Sequence, residues 1–304
     1  MTDRRALLEG AFRWAVTCAG FASAGAVLLI LGFLVAESAG LFLSQAPGEP
    51  GYPVGSFLTE TRWLPIKNPP VFGLVPLALG SIVVTAGALV IAVPLGLAAA
   101  TFLAEVSPGW LREVLKPTIE LLAAIPSVVI GFVGLSVVAP AVKSLFHTQS
   151  GLTALTGSIA LAIMSIPTIV TIAEDALAAV PMSYRDASLA LGANRWQTTW
   201  RVVVPAAAPG LLAAVILGAG RVLGETMAVL MVTGNAANIT LDPRDSVRTI
   251  TATIAQEMGE TARGSDHYHA LFALGAVLYL VTLATNGLAS SFLERARRRM
   301  SGAR

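Results

Sequence analysis

Charge is what this 304-residue sequence has least of: Asp, Glu, Lys and Arg together make up 12% of it. A soluble domain carries about 25%, so an ordinary core with a water-facing shell cannot be built from this chain. The hydrophobic fraction of 55% and mean hydropathy of +0.74 point to lipid as the solvent. Cysteine is nearly absent, and the single Cys18 excludes an internal disulfide. Cys/His clusters at metal-ligand spacing are missing too; His147 lies in a polar segment, and His267-Tyr268-His269 reads as a helix entrance. The net charge of +2 is scattered, without a dense basic stripe or interleaved aromatics, which removes nucleic-acid binding from consideration. The sequence also has no Gly-x4-Gly-Lys-[Ser/Thr] phosphate loop, which argues against nucleotide hydrolysis by that motif in this chain.

What is present is apolar length. Crossing a hydrocarbon layer of about 30 Å at about 1.5 Å per residue takes about 20 apolar residues in a helix. Six segments qualify: Trp14–Val35, Leu74–Leu103, Thr118–Ala139, Thr156–Ile172, Pro209–Val232 and Ala270–Ala289. The first follows Arg4, Arg5 and Arg13 as in a signal peptide, but its apolar run exceeds the 7–15 residues of a cleaved one, so an uncleaved anchor is expected. The fold class is therefore all-α and polytopic. Lys and Arg fix the orientation, because cytoplasmic loops keep an excess of them. Thirteen lie on one side, among them Arg112, Lys116, Arg185, Arg195, Arg201, Arg295, Arg297, Arg298, Arg299 and Arg304. Six lie on the other: Arg62, Lys67, Lys143, Arg244, Arg248 and Arg263. Both termini are expected in the cytoplasm.

Three regions follow: an anchor with an external Pro/Gly-rich loop over 1–71, a body of five further spans over 72–290, and a basic cytoplasmic tail over 291–304. In the external loop Pro47, Pro50, Pro53, Pro65, Pro69 and Pro70 favour turns over regular structure. Pro76, Pro94, Pro126 and Pro167 lie in or near spans and are expected to kink them, around a cavity or simply for packing.

The longest cytoplasmic segment, 173–208, is not a plain linker. Apolar residues recur at helical spacing, at Ala176, Leu177 and Val180 and again at Ala187, Leu189, Ala190 and Leu191. The Gly192-Ala193-Asn194 break separates two short helices, Gly192 taking the left-handed conformation that closes the first. Apolar helix faces there call for a partner protein. Alternatively the loop lies on the bilayer, with Arg185, Arg195 and Arg201 on anionic lipid and Trp196 and Trp200 at the interface. The string Asp186-Ala187-Ser188, three residues, Gly192, nine residues, then Val202 to Pro205 resembles the EAA loop of ABC importer permeases, Glu-Ala-Ala-x3-Gly-x9-Ile-x-Leu-Pro. That resemblance implies a helix that docks on an ATPase subunit, with Asp186, Ala187, Ser188, Gly192 and Pro205 at the motif positions.

Span five holds Arg221 and Glu225, opposite charges four residues apart in apolar sequence. Each costs about 3 kcal/mol near the bilayer centre. On one helix they share a face and can pair, either as a bond between helices or as a site where the guanidinium fork meets an oxyanion. Glycines 218, 220 and 224 leave room for close approach. Glu120, at the start of span three, reads as a solvated boundary residue or as a further charge in the path.

The strings at 120–129, 220–235 and 248–260 resemble the PstC-type permeases of bacterial phosphate importers, over about Phe72 to Asn286. The resemblance implies a type I ABC importer permease of the inner membrane carrying inorganic phosphate inward, with Arg221 and Glu225 in the substrate pathway. It implies a PstA-like second permease, two PstB-like ATPases holding ATP and magnesium, and a PstS-like external phosphate-binding protein; this chain itself would bind no cofactor. A permease for sulfate or molybdate, or an ion-coupled secondary transporter, are the alternatives.

Overall fold

The computed structural model describes residues 2–43 and 51–301; the side chains of 2–9, 11, 288–290 and 292–301 lie outside the described set. Pro47, Pro50 and Arg304, and the side chains of Arg4, Arg5, Arg295, Arg297, Arg298 and Arg299, therefore fall outside the described residues.

In chain order the elements are α1 (Thr2–Phe42), α2 (Val54–Thr59), β1 (Trp63–Leu64), β2 (Val71–Phe72), α3 (Val75–Thr101), a first π-helical turn (Phe102–Val106), α4 (Gly109–Ala123), α5 (Ser127–Val133), a second π turn (Gly134–Val138), α6 (Ala139–Phe146) and α7 (Ala154–Ala178). Then come α8 (Met182–Ala190), α9 (Arg195–Thr198), a third π turn (Thr199–Val203), α10 (Val204–Leu223), α11 (Met227–Val232), α12 (Ile250–Glu257) and α13 (Asp266–Ser301). Among the described residues six stretches are long and apolar enough to cross a membrane: Phe12–Phe42, Val75–Val106, Ser127–Phe146, Ala154–Ala178, Arg195–Leu223 and Asp266–Gly287. The expected number stands, but two positions differ.

Span three was expected over Thr118–Ala139. Pro126 instead ends α4, because its ring disfavours a helical Ile125 and removes a backbone donor; Pro126 itself is extended (φ −58°, ψ 136°), and the span starts afresh at Ser127. Pro94 and Pro167 do sit inside helices, whereas Pro76 occupies the first turn of α3, where a missing N–H costs nothing. Span five was expected over Pro209–Val232. It begins earlier, at a capping box in which the Asn194 side chain takes the Gln197 N–H and the Gln197 side chain takes the Asn194 N–H. It ends earlier as well, at Leu223, where Gly224 lowers the helix propensity.

α7 is the centre of the bundle, with 61% of its most apolar window buried against 28% or less in the other spans. Small residues bring its neighbours close: Gly87 faces Ser158 and Gly96 faces Ile169 from α3, while Gly210 faces Ala176 and Gly218 faces Ile169 from α10. Burial of Ala92, Ile169, Val170, Leu177, Val203 and Ala214 completes this core. α1 stands at the edge, antiparallel to α13, through an edge-on Phe33–Phe272 pair at 5.5 Å and a bond from the Tyr279 hydroxyl to the Val27 carbonyl at 2.9 Å. α13 runs unbroken to Ser301, so the tail region continues the last span as helix.

The described parts of the 36–71 stretch, 36–43 and 51–71, are more regular than the prolines suggested. α1 extends to Phe42, α2 follows, and β1 pairs antiparallel with β2. Phe57, Trp63 and Phe72 bury themselves with Leu271 and Leu274 of α13, so the aromatics outweigh the turn-forming residues and make a cap over one end of the bundle.

Candidate functional site

Three places concentrate charge: the middle of the bundle, the end opposite the cap, and the cap itself. In the middle, Gly218 faces Ile169, and Val222 joins the apolar cluster of Leu161 and Met164. Arg221 is thus level with the centre of α7, roughly 15–20 Å from either end at 1.5 Å per residue. Two helix breaks meet at this depth. α4 stops at Ala123 and α10 at Leu223, and the Arg221 Nη2 donates to the Ala123 carbonyl at 3.4 Å. A guanidinium on the last carbonyls of a helix is favoured by the helix dipole.

The expectation that Arg221 and Glu225 share a helix face is corrected: the helix ends between them. No ion pair joins the two among the described residues. The Glu225 carboxylate instead accepts the Ala228 N–H at 3.4 Å, at the start of α11, and its carbonyl accepts the Thr251 hydroxyl at 2.8 Å. Glu120 is likewise moved inward. Lys116 reaches Glu174 near the end of α7, and Glu120 lies one turn deeper on α4, three residues before Ala123, so it stands within the bundle's depth and not at its boundary. Arg221 and Glu120 are exposed on the surface of this chain.

The loop between spans four and five is shorter than 173–208. α7 continues to Ala178 and the fifth span starts at Arg195, which leaves 179–194 around the single helix α8. The second short helix, α9, is the first turn of span five. Gly192 has φ +86°, the left-handed closure its position called for. Leu191 is 90% exposed, and Met182, Tyr184 and Leu189 are exposed beside it, while Ser188 is buried and bonds the Thr198 hydroxyl at 3.0 Å. Asp186 lines a cleft of about 620 Å³ between α8 and the bundle, with Glu105, Arg112 and Arg195. Arg185 is not a lipid contact: its guanidinium turns inward to Glu105.

Three charge clusters escaped the sequence reading. Glu174, 1% exposed, takes ion pairs from Arg112 and from Lys116 at 2.6 Å. Arg185 pairs with Glu105 at 2.7 Å. At the cap end Glu257 accepts Trp63 Nε1 at 2.9 Å, Arg248 at 2.7 Å and bonds His267 at 2.8 Å. Burial pushes the Glu257 carboxyl up, but the bonds from His267 and Trp63 and the charge of Arg248 outweigh it and hold the group below its ordinary value. The only sequence signal for the first two was a carboxylate next to an apolar helix face, opposite a basic residue far along the chain.

The helices from α3 onward pack around α7 as one bundle fold. Two solved structures share it: inward-facing MetNI methionine ABC transporter, at 20% identity over 72% of this chain and 95% of that one with a TM-score of 0.54, and an amino acid ABC transporter with histidines, at 20% identity over 72% and 92% with a TM-score of 0.52. The chain belongs to the family of binding-protein-dependent transport system inner membrane components, which it matches over residues 92–301. It is similar to the probable ABC transporter permease protein YqgH of Bacillus subtilis (44% identity, 74% of this chain and 73% of that one). It is also similar to the phosphate transport system permease protein PstC of Mesorhizobium japonicum (36% identity, 93% and 92%).

Proposed function

We propose that this chain is the permease subunit of an ATP-driven importer that moves inorganic phosphate inward across the bacterial inner membrane. The observation that carries the reading is the 36% identity to a phosphate permease over nearly the whole of both chains. The α8 end faces the cytoplasm, with both termini, and the cap faces outward; the excess of Lys and Arg supports this orientation. Two ATPase subunits hold ATP and magnesium and dock on α8 through Asp186, Ala187, Ser188 and Gly192, Pro205 standing at the head of α10. A second permease covers the exposed face that bears Arg221 and Glu120, and an external binding protein delivers phosphate to the cap side. The proteins are PstA-like, PstB-like and PstS-like respectively, and this chain binds no cofactor.

Within that assembly the always-charged fork of Arg221 is suited to a tetrahedral oxyanion at mid-depth. Glu225 steadies the break after α10 through Ala228, and Glu120 contributes negative charge on the cytoplasmic side of Arg221. Labelled phosphate uptake in a strain lacking its own permease tests the reading. Arg221→Lys keeps the charge and loses the fork, so uptake should fall about tenfold, the order of one charge-assisted hydrogen bond, while assembly persists. Equal kinetics for the two versions removes Arg221 from the path. Sulfate uptake without phosphate uptake refutes the substrate.

A further inference from the structure

We propose that Arg185 is a positioning residue: it joins the docking helix α8 to the membrane bundle, so that movement of α8 reaches the helix contacting Arg221. The inference rests on the reading of this chain as a permease driven from α8. The backbone on either side of α8 is a poor lever. Pro181 is extended (φ −57°, ψ 141°) before it, and Gly192 is left-handed (φ +86°) after it, so neither connection continues a helix. Side chains have to make the link. Ser188 ties α8 to Thr198 at the base of span five. Arg185 makes the other connection, to spans two and four together. Its Nη2 donates to Glu105 Oε1 at 2.7 Å and to the Leu177 carbonyl at 3.0 Å, and its Nη1 donates to the Val180 carbonyl.

One guanidinium thus holds three segments: α8, the end of α7 and the π turn that extends α3. The side chains of Arg185 and Glu105 are 15% and 9% exposed, so salt screens the pair little. A planar fork fixes direction as well as distance, which the single ammonium of Lys cannot do. Glu105 sits in the π turn, a distortion that recurs at functional sites. The chain between this turn and α4 is extended at Ser107 and Pro108, so α4 is reached through side chains as well: Arg112 and Lys116 tie it to Glu174, one turn before Leu177 on α7, and its far end is the Ala123 carbonyl that Arg221 contacts. A displacement of α8 is thereby delivered to the base of the helix that touches the proposed substrate residue.

The test uses the complete importer in proteoliposomes, measuring phosphate uptake and ATP hydrolysis together. Arg185→Ala should lower uptake per ATP about tenfold, within the range for residues that carry coupling, while the ATPase subunits still copurify. Arg185→Lys should fall between. Glu105→Ala leaves the bonds to the Leu177 and Val180 carbonyls and should lose less than Arg185→Ala, and the double variant should be no worse than Arg185→Ala alone, because Glu105 acts through Arg185. A wild-type uptake-to-hydrolysis ratio in Arg185→Ala, or losses that add in the double variant, overturns the proposal. Should Arg185→Ala not assemble, Glu105→Gln preserves shape and is read by the same ratio. A wild-type importer that moves no phosphate counts against the function proposed above, and the joint is then read from the anion it does carry.

Discussion

Replacing Arg112 and Lys116 together by methionine should destabilise the protein by about 3–5 kcal/mol, the cost of leaving a buried charge without its partners. The structure makes that variant and its converse unequal. Glu174 is 1% exposed, whereas Arg112 and Lys116 are 40% and 33% exposed. Removing the cations strands a carboxylate that water cannot reach. Glu174→Gln strands two cations that can turn back to solvent, and it keeps an acceptor in the same place, so its cost should be about 1–2 kcal/mol. The Lys116 bond to Asp175 is also lost with the cations, but Asp175 is exposed and the pair adds little. At roughly 2–4 °C per kcal/mol for a chain of this order, the double variant should melt about 6–20 °C lower and Glu174→Gln about 2–8 °C lower. Thermal unfolding in detergent at neutral pH, followed by tryptophan fluorescence, measures both. A larger loss for Glu174→Gln than for the double variant would refute the reasoning, because the buried group would then not be the one that needs compensation.

At the cap, the Glu257 carboxyl is held below its ordinary 4.5, so its contribution is present above about pH 4.5 and lost as pH falls through the folded value. Glu257→Gln should cost about 1–3 kcal/mol at neutral pH and flatten the acid limb of a melting-temperature profile; an unchanged limb would assign the acid sensitivity elsewhere. Gly80→Ala should destabilise by about 1–3 kcal/mol, since a Cβ there collides with the Arg248 carbonyl oxygen, which is backbone and cannot step aside; denaturant unfolding reads this directly. Gly192→Val should uncouple ATP hydrolysis from uptake with near-normal expression, because a β-branched residue is strained at φ +86° while nothing crowds the site; intact coupling would count against α8 as the docking helix.

The number and approximate positions of the spans were legible because hydropathy is a local property: about 20 apolar residues in a row have one stable arrangement in lipid. Span three was misplaced because length and hydropathy alone do not say whether a proline bends a helix or ends it. Pro94 and Pro167 sit within continuous helices, while Pro126 follows a stop at Ala123. Span five was misplaced for the converse reason. The Asn194–Gln197 capping box marks its start in the sequence, but the apolar run that draws attention begins only at Val202. For the site, Arg221 and Glu225 stood out as charges in apolar surroundings, and Gly192 in the loop between spans four and five stood out by its spacing. Their relation to one another was misjudged, because a break at Gly224 turns two neighbours on one helix into residues of two different segments.

By itself the sequence determined the solvent, the class of fold, the number of crossings, the two scarce charges at 221 and 225 and the family. All of these follow from composition, from runs, or from short strings that stay together however the chain bends. Only the tertiary structure decided the depth of Arg221, the contact of its guanidinium with the end of α4, the burial of Glu174 among cations some 60 positions away, the cap built from Trp63 and Phe72, and the link from Arg185 to Glu105. Each of those depends on which helices pack together. Packing here is set by small residues on α3, α7 and α10 that admit close approach, and hydropathy does not register where two such surfaces will meet.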